Sequence, residues 1–193
     1  MNGAPGKLPD TIEAARQTVF AASRFVEEAA LREPGLLAGL ESSGELGRAR
    51  RPGEADALAG EIPEGDEAAF MDSLRRLRRR ELVRIAWRDL TGAASFAETL
   101  AETSALADAA IAAALAFAVR ALAPHYGTPR SAAGEAQGLL VIGMGKLGGR
   151  ELNFSSDVDL VFLFPERGET DGARSVANED YFTRLGQMLI RLL

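Results

Sequence analysis

Apolar residues recur at helical spacing through the first two-thirds of the chain. The first stripe repeats every seven residues, with alanines between, at Ile12, Val19 and Val26. This period predicts one helix that is capped by Asp10 or Thr11 and ends at Pro34. Its start is preceded by a Gly- and Pro-containing stretch, residues 1–9, which we interpret as a loose tail.

Proline and glycine repeatedly interrupt the next segment, residues 32–66. They leave room for at most two short helices, at about 35–41 and 54–60. We therefore interpret residues 1–65 as a tail, a helix and a loop-rich linker.

A long helix is predicted from Asp66, because an acidic residue suits the positive end of a helix. Its core side is apolar at Phe70, Leu74, Leu77, Leu82 and Ile85. The pattern breaks at Thr91, and residues 95–123 predict one or two alanine-rich helices, which the segment PHYGTP, residues 124–129, stops. Residues 66–130 are thus predicted to be a helical region.

The long helix carries four arginines at i+4 spacing, Arg76, Arg80, Arg84 and Arg88. One interpretation is a solvated helix face with Glu81 and Asp89 as local partners. The alternative is a ridge that faces an anion or a protein partner, because aligned guanidinium charges focus the electric field. Both remain open from the sequence, and Trp87 is predicted to lie in the core on the opposite side.

The pattern changes after residue 130. The run GLLVIG, residues 138–143, predicts a buried strand, and DVDLVFLF, residues 157–164, predicts a second strand that Pro165 ends. Asn178 can cap a final helix, whose apolar side is formed by Tyr181, Leu185, Met188, Leu189 and Leu192. The predicted class is α+β, with a mostly helical amino-terminal region followed by the first strands and helix of another domain, residues 131–193.

Composition narrows the possible functions. The net charge of −6 argues against a nucleic-acid-binding protein. The absence of Cys excludes a disulfide scaffold and a Cys metal site. The single His disfavours a His-rich metal site and a His-based catalytic triad. The longest apolar run, Ala109–Ala118, is about half the roughly 20 residues of a membrane-spanning helix. No signal-peptide core is present. We expect a cytoplasmic protein with no membrane and no nucleic-acid partner.

The candidate chemistry lies in GLLVIGMGKLGGRELNFSSDVDLVFLF, residues 138–164. Gly143-x-Gly145-x-x-Gly148 matches the start of a dinucleotide-binding fingerprint. The second half of that fingerprint fails, because too few residues follow for an intact helix and the acids open the second strand instead of closing it. A P-loop also fails, because Lys146 comes too early and is followed by Leu147.

A metal-dependent nucleotidyl-transfer site fits these residues better. Asp157 and Asp159 alternate with Val158, so a strand would place both carboxylates on one face. Two adjacent carboxylates repel each other, and a divalent cation between them offsets this repulsion. Mg²⁺ suits such a site, because it prefers carboxylate oxygens together with the oxygens of substrate phosphates. Glycines let backbone N–H groups approach a phosphate chain, and Lys146 or Arg150 can offset its charge. The plain alternative is a Ser-Ser-Asp turn with Asp159 facing solvent.

These residues closely resemble a known family. GMGKLGGRELNFSSDVDLVF is similar to the nucleotidyltransferase motif of the glutamine synthetase adenylyltransferases, bifunctional enzymes that add and remove AMP on glutamine synthetase. The likeness covers residues 66–193 well and residues 22–40 more loosely. Of the family's two catalytic copies, NFSSDVD and the helical lead-in resemble the amino-terminal one, which removes AMP. The resemblance implies phosphorolysis, in which inorganic phosphate attacks the AMP on a glutamine synthetase tyrosine and releases ADP.

The resemblance also implies a polymerase-β-like nucleotidyltransferase fold and a role for each motif residue. Asp157 and Asp159 would be catalytic residues and ligands of Mg²⁺. The implied nucleotide- and phosphate-binding residues are Gly145, Lys146, Gly148, Gly149 and Ser156, with Asn153 beside them. Lysine at position 146 departs from the Gly-Gly/Ser turn of the wider superfamily and implies a charge contact with phosphate. The implied partners are glutamine synthetase, nucleotide, phosphate and a nitrogen-signalling regulatory protein.

One family feature is missing from this sequence. The family has a third carboxylate in a D-x-R-L-R-P type segment after the final helix, whereas the sequence stops at Leu193 within an apolar helical pattern. We therefore expect a truncated, incomplete catalytic domain with two of three metal ligands, inactive alone and with open sheet edges. The alternative function is a non-catalytic helical module that docks a protein partner through the arginine ridge.

Overall fold

The computed structural model describes residues 12–63 and 65–193. The predicted tail and the capping of the first helix by Asp10 or Thr11 lie outside the described residues. The described residues form eight α-helices, one 3₁₀ turn and four short strands. The predicted α+β class, with helices first and strands near the end, is confirmed.

The amino-terminal helix is broken at Ser23, so the prediction of a single helix is wrong. Helix α1 spans Ile12–Ala22 and helix α2 spans Arg24–Arg32. Ser23 is extended, with φ −139°, and its Oγ accepts a hydrogen bond from the Val26 N–H at 3.3 Å. A serine in this conformation stabilises the start of a new helix, and the seven-residue repeat does not detect such a cap.

The two short helices predicted within residues 32–66 are confirmed as α3, Gly35–Ser42, and α4, Glu54–Gly60. A 3₁₀ turn at Glu45–Gly47 lies between them. The segment packs tightly against the preceding helices and the later part of the long helix. Its buried leucines, in one core cluster with Val19, Val26 and Trp87, are Leu36, Leu37, Leu40 and Leu46.

Two long helices form the centre of the fold. Helix α5 spans Glu67–Leu90, and the Asp66 carboxylate accepts a hydrogen bond from the Ala69 N–H at 2.9 Å, as an N-cap does. Helix α6 spans Phe96–Tyr126 without a break, so it ends within the predicted stop at residues 124–129 but runs three residues beyond Ala123 and includes Pro124. In the last turn a proline removes only one hydrogen bond, and its fixed φ is compatible with a helix.

Two separate antiparallel sheets follow α6. Strand β1, Pro129–Ser131, pairs with β4, Gly168–Thr170, and β2, Leu140–Gly143, pairs with β3, Leu160–Leu163. β1 and β4 lie outside the two predicted strands, in segments without an alternation of apolar and polar residues. β3 begins three residues later than predicted, which leaves Asp157–Asp159 in the segment before it. Within residues 12–63 and 65–193 each sheet has only two strands, but the outer edges of β1 and β4 are not open, because isolated bridges pair Arg130 with Ala136 and Glu169 with Ala177.

The final helix, α8, spans Asn178–Leu192, and its predicted apolar side is confirmed as buried. The predicted capping role of Asn178 is wrong. Its side chain is fully buried and donates hydrogen bonds to the carbonyl oxygens of Arg130 and Glu166. α8 forms a second core cluster with residues of α5 and α6, including Phe70, Leu74 and Phe117.

By length and hydropathy alone, α6 could cross a membrane. One such helix is weak evidence, because the core helix of a soluble protein passes the same test. α6 packs against α4, α5 and α8 and buries Ala114 and Ala118 completely. These contacts are typical of a central core helix.

Candidate functional site

The pairing of β2 with β3 brings the two halves of the motif together. Gly143, at the end of β2, lies opposite Leu160, at the start of β3. The Met144 N–H donates a hydrogen bond to the Asp159 carbonyl oxygen at 2.9 Å, which extends the pairing by one position. The glycine turn that leaves β2 and the aspartates that precede β3 therefore lie at the same end of this sheet.

The glycine turn contains a one-turn helix, α7, at Gly145–Gly148. Gly145 has φ +54°, which favours glycine. A Cβ added to Gly148 would lie 2.5 Å from the Gly143 carbonyl oxygen, so the turn needs glycine there. A Cβ on Gly149 would make only ordinary contacts, the nearest at 3.5 Å. The fold therefore explains the glycine at 148 but not the one at 149.

Three charged side chains of the motif are accessible to a ligand. Lys146, Asp157 and Asp159 are exposed, and within the described part of the chain their side chains make no hydrogen bond or ion pair. Arg150, the other candidate cation, lies with its guanidinium 3.8 Å from the Asp108 carboxylate of α6. Lys146 is therefore the less engaged of the two cations.

The donor set at this end of the sheet suits a hard cation. Among residues 12–63 and 65–193, no group of three or more His, Cys, Asp or Glu side chains is placed to hold a metal ion. Asp157 and Asp159 offer two exposed carboxylates. Mg²⁺ is commonly bound through one or two carboxylates together with water and substrate phosphates, so these two residues fit it.

The aspartates follow a tight turn at Asn153–Ser156. The Asn153 Oδ1 accepts hydrogen bonds from the Ser155 N–H at 3.2 Å and from the Ser156 hydroxyl at 2.6 Å. The hydroxyl proton of Ser156 is therefore used inside the turn. Behind the turn lies a cavity of about 160 Å³, which Ser156, Phe154 and Val158 help to line.

Most of the arginine stripe on α5 points into the protein. The side chains of Arg84 and Arg88 are only 1% and 4% exposed, and that of Arg80 is 33% exposed. Both the solvated-face and the partner-ridge interpretations are therefore wrong for Arg84 and Arg88, whereas Arg80 is partly exposed and pairs with the predicted local partner Glu81. Only Arg76 remains an exposed member of the stripe.

Three arginines and three glutamates meet in one cluster between α5, α6 and the segment before α4, which we call the charge cluster: Arg50, Arg80, Arg84, Glu45, Glu81 and Glu102. Glu81 is central, because it accepts hydrogen bonds from Arg50 at 2.6 and 3.0 Å, from Arg84 at 2.9 Å and from Arg80 at 3.0 Å. Glu102 accepts from the Arg84 guanidinium and from the Arg50 backbone N–H, both at 2.6 Å. Of these contacts only those of Glu81 with Arg80 and Arg84 are local in the chain and predicted from the sequence.

The cluster perturbs the acids within it. Burial opposes ionisation of Glu45, but hydrogen bonds from Arg80, Ser43 and Arg50 prevail and lower its pKa from 4.5 to about 2. Burial likewise opposes ionisation of Glu81, yet the hydrogen bond from Arg50 and the charge of Arg84 lower its pKa. Both carboxylates are therefore held ionised beside the guanidinium groups.

We expect acid to weaken the fold through this cluster. An acid whose pKa is lower in the folded state adds stability above its unfolded pKa and loses it as pH falls through the folded value. For Glu45 this window runs from about pH 4.5 down to about 2. Urea unfolding at a series of pH values should show this loss, and Glu45→Gln should be less stable at pH 7 but less pH-sensitive below 4.5. Equal pH slopes for the two proteins would contradict the role given to Glu45.

Comparison with known proteins connects these features to one family. A sequence model of the family described as glutamate-ammonia ligase adenylyltransferase matches residues 14–193. The chain is 50% identical over 177 residues to a bifunctional glutamine synthetase adenylyltransferase/adenylyl-removing enzyme of Thioalkalivibrio sulfidiphilus, and 48% identical over 182 residues to one of Nitrosococcus oceani. Each match covers 91% of this chain and 18% of the relative. The chain thus spans about a fifth of the length of the curated relatives that it matches.

Proposed function

Because this chain belongs to the glutamate-ammonia ligase adenylyltransferase family, we propose that residues 131–193 form part of a polymerase-β-like nucleotidyltransferase domain that acts on glutamine synthetase. The main support is the hydrogen bond from Met144 to the Asp159 carbonyl, which brings the glycine turn beside the aspartates. The relatives support glutamine synthetase as the substrate, because they are named as enzymes that adenylylate glutamine synthetase and remove the adenylyl group.

In this proposal the reaction is the removal of AMP. An oxygen of inorganic phosphate forms a bond to the phosphorus of the tyrosyl-AMP, the bond from phosphorus to the tyrosine oxygen breaks, and the products are ADP and the free tyrosine. The support for this direction is the resemblance of NFSSDVD to the adenylyl-removing copy. The reaction would restore unmodified glutamine synthetase in the cytoplasm, under a nitrogen-signalling regulatory protein.

In this proposal the motif residues bind the metal ion and the phosphate groups. Asp157 and Asp159 hold Mg²⁺, which when bound neutralises charge on the phosphate oxygens. The Lys146 ammonium attracts the attacking phosphate, and the backbone N–H groups around Gly145 and Gly149 lie where no Cβ obstructs a phosphate chain. The docking alternative has less support, because the arginines that were to form its ridge are mostly buried.

The ligand assignment is tested by Mg²⁺ titration calorimetry on this chain. Asp157→Asn and Asp159→Asn should each weaken Mg²⁺ binding by about tenfold or more, since loss of even an outer partner of a metal site commonly costs 10–100-fold. Asp72→Asn is the matched control, because Asp72 is an exposed aspartate on α5 and the charge change is the same. Equal Mg²⁺ affinity in all three variants would remove Asp157 and Asp159 from the site.

The activity itself is tested with the same substitutions in a full-length relative. With adenylylated glutamine synthetase, phosphate and Mg²⁺, formation of ADP should fall by at least 100-fold in each aspartate variant. The opposite reaction, adenylylation from ATP, should be retained. Loss of adenylylation alone would assign this motif to the other activity.

A further inference from the structure

A buried serine connects the central helix to the aspartate-bearing segment. Ser104, on α6, has no exposed surface. Its Oγ donates a hydrogen bond to the Leu100 carbonyl oxygen at 2.8 Å and accepts one from the Leu152 N–H at 3.1 Å. The second bond joins parts of the chain that are 48 residues apart.

The position of Leu152 makes this bond relevant to the site. Leu152 is buried and directly precedes the Asn153–Ser156 turn, which the aspartates follow. At the other end of the same segment, the Asp159 carbonyl is held by Met144. The two bonds thus anchor the segment on both sides of Asp157.

Between these anchors, packing gives the segment little support. Phe154, Val158 and Asp157 are exposed, and the cavity of about 160 Å³ lies between the turn and α6. The side-chain hydrogen bonds of the turn stay within Asn153–Ser156. A cavity removes the contacts that would otherwise resist movement of the atoms lining it. The placement of the aspartates therefore depends on the ends of the segment: the two anchoring hydrogen bonds, the buried Leu152 side chain, and the Glu151 N–H, which donates to the Lys146 carbonyl oxygen at 2.7 Å.

We propose that Ser104 is a positioning residue for the metal-binding aspartates, acting through the Leu152 N–H. This rests on the proposed function, in which Asp157 and Asp159 hold Mg²⁺. Without the Ser104 hydroxyl, the buried Leu152 N–H loses its acceptor. A buried donor without a partner is costly, so the segment shifts until the N–H meets water or another acceptor. The two carboxylates then move with the segment that carries them.

The adjacent Thr103 provides a matched control. Thr103 is also buried in α6, but its hydroxyl donates to the Thr99 carbonyl within its own helix. Thr103→Val and Ser104→Ala therefore each remove one buried hydroxyl from the same turn of the same helix. Only Ser104→Ala removes a bond to the aspartate-bearing segment.

The experiment measures two properties of this chain. Amide hydrogen exchange followed by NMR reports the Leu152 N–H, and titration calorimetry with Mg²⁺ alone reports the aspartate pair. Ser104→Ala should accelerate exchange at Leu152 and weaken Mg²⁺ binding by about tenfold, within the range for loss of an outer partner of a metal site. Thr103→Val should leave both properties close to those of the unmodified chain.

The outcomes separate this proposal from the one on which it rests. If Asp157→Asn weakens Mg²⁺ binding but Ser104→Ala does not, the positioning role is wrong and the metal assignment stands. If exchange at Leu152 is unchanged in Ser104→Ala, the anchoring bond itself is wrong. If Asp157→Asn leaves Mg²⁺ binding unchanged, the metal assignment fails and the positioning role fails with it.

Discussion

Replacing Arg84 with alanine is expected to lower the free energy of unfolding by about 3–5 kcal/mol, the range for breaking a buried ion pair from one side. The Arg84 side chain is 1% exposed and bonds to both Glu81 and Glu102. Its loss leaves Glu102 with the Arg50 backbone N–H but without a guanidinium partner, whereas Glu81 keeps the guanidinium groups of Arg50 and Arg80. Urea unfolding followed by circular dichroism at pH 7 measures the change.

Arg76 offers the control for this substitution, because it lies on the same stripe two turns earlier. It is exposed, and among the described residues its guanidinium donates only to the Ser73 hydroxyl, at 3.3 Å. Arg76→Ala should change the free energy of unfolding by no more than about 0.5 kcal/mol, as is usual for a surface substitution. If the two variants were equally stable, the charge cluster would contribute nothing beyond an ordinary surface arginine.

Gly148→Ala is expected to destabilise the chain by about 2–3 kcal/mol, near the upper end of ordinary point substitutions. The new Cβ would lie 2.5 Å from the Gly143 carbonyl oxygen, and this backbone atom can move only if the end of β2 moves. Such a shift disturbs the pairing of Met144 with Asp159. Thermal unfolding would measure the loss of stability, and hydrogen exchange at the Met144 amide would locate it.

At the neighbouring position, Gly149→Ala distinguishes a role of the glycine in phosphate binding from a role in stability. Its Cβ has room, with the nearest atom at 3.5 Å, so stability should stay within about 0.5 kcal/mol of the unmodified chain. If a phosphate chain approaches the backbone here, the same Cβ obstructs it, and binding of inorganic phosphate should weaken. A large loss of stability in Gly149→Ala would show that this glycine also serves the turn.

Much of the fold could be predicted from local pattern. The seven-residue repeat found the buried faces of α1 and α2, and the apolar spacing of α8 found its core side. The hydrophobic period does not predict the break between α1 and α2 at Ser23 or the continuation of α6 through Pro124, because both depend on backbone conformation. β1 and β4 were missed because they are short and paired across some 40 residues.

In the candidate site too, features that depend on local sequence could be predicted, and features that depend on the tertiary fold could not. Asp157, Asp159 and Lys146 could be chosen from motif spacing, because their chemistry is local. The Ser104 bond to Leu152 could not, because a serine in an alanine-rich helix gives no sign of a partner 48 residues away. The arginine stripe was misjudged for a related reason. Periodicity shows that Arg80, Arg84 and Arg88 share a face, but only the tertiary fold shows that Glu45 and Glu102 meet that face.

The charge cluster also limits how the sequence of this protein can diverge. Its three guanidinium groups and three carboxylates balance one another, so a single inherited substitution at Arg84, Glu81 or Glu102 leaves an odd charge in the interior. A lineage can abandon such an arrangement only by changing partners together, or by passing through a less stable ancestor. Residues far apart in the chain, such as Arg50 and Glu81, are thereby expected to evolve as a unit.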